Sequence, residues 1–199
     1  VQPQGPYRLG GWSLGGVIAF EMARQLAEED ERVQLLALID SYAPQSIERT
    51  EPVDLLHLFV EDLEGTFDRS LGFSREELRE LSLETVLEKA RALEMVPDGL
   101  GLAELQALFD LYRANLSAFF AYEPRAYAGK VTIFSSTESD TSPARGWMSC
   151  ASNLEVFEIE GDHYSIINGP ALKVLAAHLG ELLNDEGEGR KETQKAAGI

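Results

Sequence analysis

The chain has 199 residues, 44% of them hydrophobic, and carries a formal net charge of −17 at neutral pH. That length and apolar content suit one soluble domain with a real core. The acidic balance, with no Lys/Arg cluster of useful length, excludes a nucleic-acid face, because a phosphate backbone requires basic groups, and the acids are spread as on a solvated surface.

In chain order, the first informative stretch is Tyr7 to Ala23, YRLGGWSLGGVIAFEMA. Arg8-Leu9 reads as the end of a strand, and Val17, Ile18, Phe20, Ala23 and Leu26 give a helical apolar face. Between them, Gly11-Trp12-Ser13-Leu14-Gly15 is the pattern of a nucleophile elbow, in which small residues let a strand reverse into a helix so sharply that the serine hydroxyl stands clear. Glu29-Asp30-Glu31 breaks the helix, and Val33 to Ile39 follows as a nearly continuous apolar run, the signature of a strand covered on both faces. The two strands and their helix predict a βαβ unit with a right-handed crossover, and hence an α/β fold.

From Pro52 to about Tyr122 the pattern is helical only. Val53 to Leu63 predicts one helix, Ser74 with Glu77 a capping box that opens another, and Ser82 to Leu93 and Leu102 to Phe120 two more. Gly65, Gly72 and Pro97-Asp98-Gly99 punctuate them. An insertion of this kind between sheet strands, about 45–128, reads as an all-helical lid. Strands resume at Val131 to Phe134 and Leu154 to Ile159, with a polar loop containing Glu138, Asp140 and Pro143 between them. Ala171 to Leu183 gives a last amphipathic helix, so the folded region is expected over 1–183. The tail, 184–199, has almost no apolar content and is expected to be disordered.

The single cysteine, Cys150, rules out a disulfide within the chain and fits a reducing compartment. No run approaches the roughly 20 apolar residues of a bilayer span, and Val1 to Pro6 lacks the features of a signal peptide. A cytoplasmic location without a membrane partner is therefore expected. No zinc site is expected either, since the histidines lie far apart with no second ligand at metal spacing.

A serine at an elbow needs a base and a carboxylate that orients the base. His163 follows a strand end, where α/β sheets present functional loops, whereas His57 and His178 lie within helices and read as packing or surface residues. Asp40, Glu138 and Asp140 all follow strands and all give the order Ser, acid, His. Asp40 is favoured because its strand is the more strongly buried. The backbone N–H of Leu14 supplies one donor for a tetrahedral oxyanion. A second donor, and the strands expected before the elbow, would precede Val1, so the sequence is expected to be a piece of a larger domain.

GPYRLGGWSLGGVIAFEMARQL, LLALIDSYAP, the helical insertion and GDHYSIIN together resemble the chain-terminating thioesterase domains of nonribosomal peptide synthetases and polyketide synthases, from Gln2 to about Leu183. The resemblance implies an α/β-hydrolase sheet, here without its amino-terminal strands, bearing a helical lid. It assigns Ser13 as nucleophile, Asp40 as acid and His163 as base. It implies transfer of an acyl or peptidyl chain from a carrier-protein phosphopantetheine thioester to Ser13, then release by hydrolysis or cyclisation. The implied partners are an acyl or peptidyl carrier protein and upstream synthase modules, with no metal or other cofactor bound directly. A free-standing esterase, an editing thioesterase, and an inactive carrier-protein-binding fragment are the competing expectations.

Overall fold

Tyr7–Trp12 (β1), Val33–Ile39 (β2), Val131–Ser136 (β3) and Leu154–Ile159 (β4) lie side by side in that order, every pair parallel. They belong to a computed structural model that describes residues 2–46, 55–97, 99–138 and 143–196. Strands in a parallel sheet are covered on both faces, and β3 accordingly is buried at every position. Along β2 the period of two sorts the side chains. Leu35 and Ala37 join Phe134, Ile159, Ile166 and Leu175 in one cluster, against which Trp12 and Ile39 also pack. Leu36 and Leu38, which alternate with them, are themselves almost fully buried. Each such side chain contributes about 1.5–3 kcal/mol by leaving water.

Two units make up the chain. The first, Val1–Ile47 with Tyr122–Ile199, holds the sheet and three flanking helices among its described residues, α1 (Leu14–Glu28), α6 (Pro143–Trp147) and α7 (Gly169–Ala196). Helix α1 connects β1 to β2 and packs on both, while α7 packs on β2 and β4. Phe20 of α1 is fully buried against the rings of Trp147 and Tyr127. Helix α6 falls within the polar loop expected between β3 and β4. Its anchor is Trp147, whose indole N–H donates to the Ser41 carbonyl at 2.7 Å.

The second unit, Glu48–Ala121, is helical: α2 (Leu55–Phe67), α3 (Arg75–Leu78), α4 (Leu83–Ala92) and α5 (Leu102–Ala121). Val60, Leu71, Leu78, Val86, Ala90 and Met95 form one core, and Phe59, Leu87 and Leu105 another. The capping box is present, with the Ser74 hydroxyl accepting from the Glu77 N–H and Glu77 accepting from the Ser74 N–H, although the helix it opens is a single turn. Ser82 caps α4 by accepting from the Thr85 N–H. Gly65, expected to interrupt, lies inside α2, where flanking apolar contacts from Leu63 and Leu56 outweigh the intrinsic cost of about 1 kcal/mol for a helical glycine. Asp98 and Asp140 lie outside the described residues.

Helix α7 runs to Ala196 and so takes in residues 184–196 of the tail.

Candidate active site

The strand β1 passes directly into α1 through Ser13, which has φ 53° and ψ −127°. A non-glycine residue at positive φ stores strain, and this one is held by its neighbours. Its N–H donates to the Ile39 carbonyl and its carbonyl accepts from the Gly16 N–H, both at 3.0 Å. The hydroxyl caps none of the helical N–H groups, although serine at a helix start ordinarily does so. The turn is tight enough that a Cβ on Gly11 would fall on the Gly15 carbonyl, and a Cβ on Gly16 would come within 2.5 Å of Ser41. At Gly15 itself a Cβ would meet nothing, so the second small residue the turn requires is Gly16 rather than the expected Gly15. Leu14 is the first residue of α1, where a backbone N–H has no acceptor within the helix.

Asp40 directly follows β2 with φ 40° and is completely buried. Its N–H is bonded to the Phe134 carbonyl at 2.7 Å, which seats it beside the end of β3. One carboxylate oxygen, Oδ1, accepts from both the N–H and the hydroxyl of Ser136 at 2.9 Å. The other, Oδ2, lies 2.7 Å from His163 Nδ1. Burial pushes the Asp40 carboxyl up, but the hydrogen bonds from His163 and Ser136 outweigh it and hold the group below the usual carboxylate range. An ionised Asp40 accepts only, so the ring nitrogen facing it, Nδ1, is the donor.

His163 follows β4 in a short loop. Gly161, at φ 126°, makes the bend before it. Asp162 then fastens the segment after it, its Oδ1 accepting from the N–H groups of Tyr164 and Ser165 at 2.8 and 2.7 Å. The Ser165 N–H bond, working against burial and aided by the bonds of Tyr164 and the Ser165 hydroxyl, lowers the Asp162 carboxyl. Trp12 supports His163 from β1: the rings stack at 4.8 Å between centroids with 28° between planes, and the indole N–H donates to the His163 carbonyl at 2.9 Å.

Of the residues the sequence singles out, the structure brings Asp40 and His163 into contact and sets Ser13 at the strained turn next to Trp12. Among the described residues no hydrogen bond joins the Ser13 hydroxyl to His163. Such bonds often tighten only when substrate is bound. Glu138 is exposed, and its N–H donates to the Gly161 carbonyl at 2.9 Å. His57 pairs with Glu61 at 3.1 Å on α2, and His178 packs on Phe157 in α7. Ser136 and Trp12 carry contacts that sequence reasoning did not assign to them; the polar Ser135-Ser136 pair ending a buried strand was the available signal. Among the described residues no cluster of His, Cys, Asp or Glu is suited to hold a metal, and no helix is long and apolar enough to cross a membrane.

Comparison with known proteins adds a family to this geometry. The family model "Thioesterase domain" matches residues 1–182. A non-reducing polyketide synthase, ntnG of Nectria sp, is 32% identical over 191 residues, spanning 92% of this chain and 9% of that protein. The structure of holo-AB3403, a four-domain nonribosomal peptide synthetase bound to AMP and glycine, superimposes with a TM-score of 0.84 at 29% identity, over 92% of this chain and 15% of that one. The NocB thioesterase domain in covalent complex with a fluorophosphonate nocardicin G analogue superimposes with a TM-score of 0.62 at 26% identity, over 92% and 68% of the two chains. The chain thus spans about a tenth or less of the length of the curated relatives it matches.

Proposed function

The chain belongs to the thioesterase domain family, and from that premise we propose that it releases an acyl or peptidyl chain from a carrier-protein phosphopantetheine thioester through an ester on Ser13. The single observation that carries this reading is the 2.7 Å contact of buried Asp40 with His163 Nδ1, which leaves the opposite ring nitrogen for proton transfer.

In the first half-reaction, the Ser13 oxygen attacks the thioester carbonyl while His163 Nε2 takes the hydroxyl proton. The N–H of Leu14 donates to the oxyanion so formed. Collapse breaks the carbon–sulfur bond, and the departing thiolate takes the proton from His163. In the second, water or a nucleophile within the bound chain attacks the Ser13 ester and gives its proton to His163. The carbon–oxygen bond to Ser13 then breaks and the proton returns to the serine. Asp40 keeps the imidazole in its tautomer and stabilises the transient imidazolium. In this reading the helical insertion, about 45–128, is a lid, and a lid that excludes water favours cyclisation over hydrolysis.

A fluorophosphonate probe tests the reading directly, because it reacts only with an activated serine. Wild-type protein should acquire one adduct, mapped by mass spectrometry to Ser13, and Ser13→Ala should acquire none. An adduct persisting in the variant overturns the nucleophile. No adduct on the wild type favours a carrier-binding module without catalysis.

A further inference from the structure

Resting on the assignment of His163 as base, we infer that Trp12 is a positioning residue for it, so that the residue before the nucleophile fixes the geometry of the base. One side chain makes two different contacts with the same histidine. Its ring face lies on the imidazole at 4.8 Å, and its indole N–H holds the His163 main-chain carbonyl at 2.9 Å. The first contact sets the plane of the imidazole and the second sets the height of the loop. Asp40 supplies a third restraint at Nδ1, 2.7 Å away.

Three restraints at different points leave the imidazole little freedom to tilt, and Nε2 remains the ring nitrogen available for proton transfer. Tyr164 backs the arrangement, meeting His163 edge-on at 5.2 Å and Trp12 at 5.8 Å. Trp12 is itself packed against the cluster of Leu35, Ala37, Phe134 and Ile159, so its rotamer is set by the core rather than by the histidine. A support is only as precise as the packing behind it.

The covalent connection gives this placement its significance. Trp12 and Ser13 share a peptide bond, whereas Trp12 and His163 are separated by 151 positions in sequence. With the histidine loop resting on Trp12, the base is referenced to the nucleophile's own strand. A displacement of β1 then carries both groups together. The stacked indole face also favours the imidazolium that each proton transfer creates, since a cation is attracted to the electron-rich face of an aromatic ring.

The test measures the rate of fluorophosphonate labelling of Ser13, and turnover of a short acyl thioester, in Trp12→Phe and Trp12→Leu. Each is made in the wild-type chain and again with His163→Ala, with thermal midpoints recorded throughout. Phe keeps a ring face and loses the N–H; Leu loses both. Labelling and kcat should fall about tenfold in Trp12→Phe and about a hundredfold in Trp12→Leu, with KM within about twofold of wild type. With His163→Ala present, neither substitution should lower the residual rate further, because the effect acts through the imidazole. Wild-type rates in the single variants, or equal losses with and without His163, overturn the proposal. If Trp12→Leu does not fold, Trp12→Phe decides by the same two criteria. Absence of labelling on the wild type would instead defeat the Ser13 reading on which the inference rests.

Discussion

Ser136 places both its backbone N–H and its hydroxyl on one oxygen of Asp40, each at 2.9 Å, and thereby leaves the other oxygen to His163. The two donors on Oδ1 both come from Ser136, so the direction of the carboxylate does not depend on His163 alone.

Removing the charge at this point should be expensive. Asp40→Asn is expected to lower kcat by roughly two to four orders of magnitude, because an amide no longer enforces the imidazole tautomer. Ser136→Ala, which leaves the backbone N–H bond in place, should cost about tenfold. Glu138→Gln should match wild type. Steady-state hydrolysis of a thioester mimic gives the ranking, and a larger loss at Glu138 than at Asp40 would move the acid to the end of β3.

The glycines of the elbow should separate cleanly. Gly11→Ala forces a methyl onto the Gly15 carbonyl and Gly16→Ala drives one into Ser41, so each should destabilise by about 1–3 kcal/mol and abolish labelling of Ser13. Gly15→Ala meets no atom and should keep the wild-type thermal midpoint. Denaturant melts of the three variants check this, and an equal loss at Gly15 would mean that the turn is constrained by something other than close approach.

A third expectation concerns acid. The Glu21 carboxyl is held down to about 2, chiefly by hydrogen bonding from Arg24, against the opposing effect of burial and with further help from Gln25 and Tyr122. Because its folded value lies below the usual carboxylate value, its contribution is complete above about pH 4.5 and is lost as the pH falls through about 2. Glu21→Gln should therefore lower stability at neutral pH, by about 1 kcal/mol or less because solvent screens the pair. The gap between wild type and variant should narrow as the pH is lowered, measured by thermal unfolding across the acid range. A gap that widens on acidification would show that the pairing with Arg24 does not operate.

Much of the sheet is legible in the sequence because β2 is a nearly continuous apolar run and the elbow is a local pattern. The choice of acid is legible only as a preference for Asp40, because Glu138 and Asp140 follow a strand as well. What the sequence does not show is the register: Ile39 pairs with Phe134, which brings Asp40 beside Ser136, whereas Glu138 lies beyond that point on the exposed continuation of β3. No local pattern encodes a pairing register between strands so far apart. Helix α6 escaped notice because a single turn has no measurable period, although a lone tryptophan in a polar loop, Trp147, pointed to a buried anchor.

Tyr122 returns the chain from the helical unit and donates its hydroxyl to Glu21 on α1 at 2.7 Å, while the outgoing segment is fastened by Trp147 bonded to the Ser41 carbonyl. Both ends of the excursion are thus clamped within the sheet-bearing unit by their own bonds. Closing a longer loop between fixed ends costs only about 0.6 kcal/mol for each doubling of its length. With its two ends fixed in this way, a change in the length of the segment between them has little entropic leverage on strand register or on the Asp40–His163 pair.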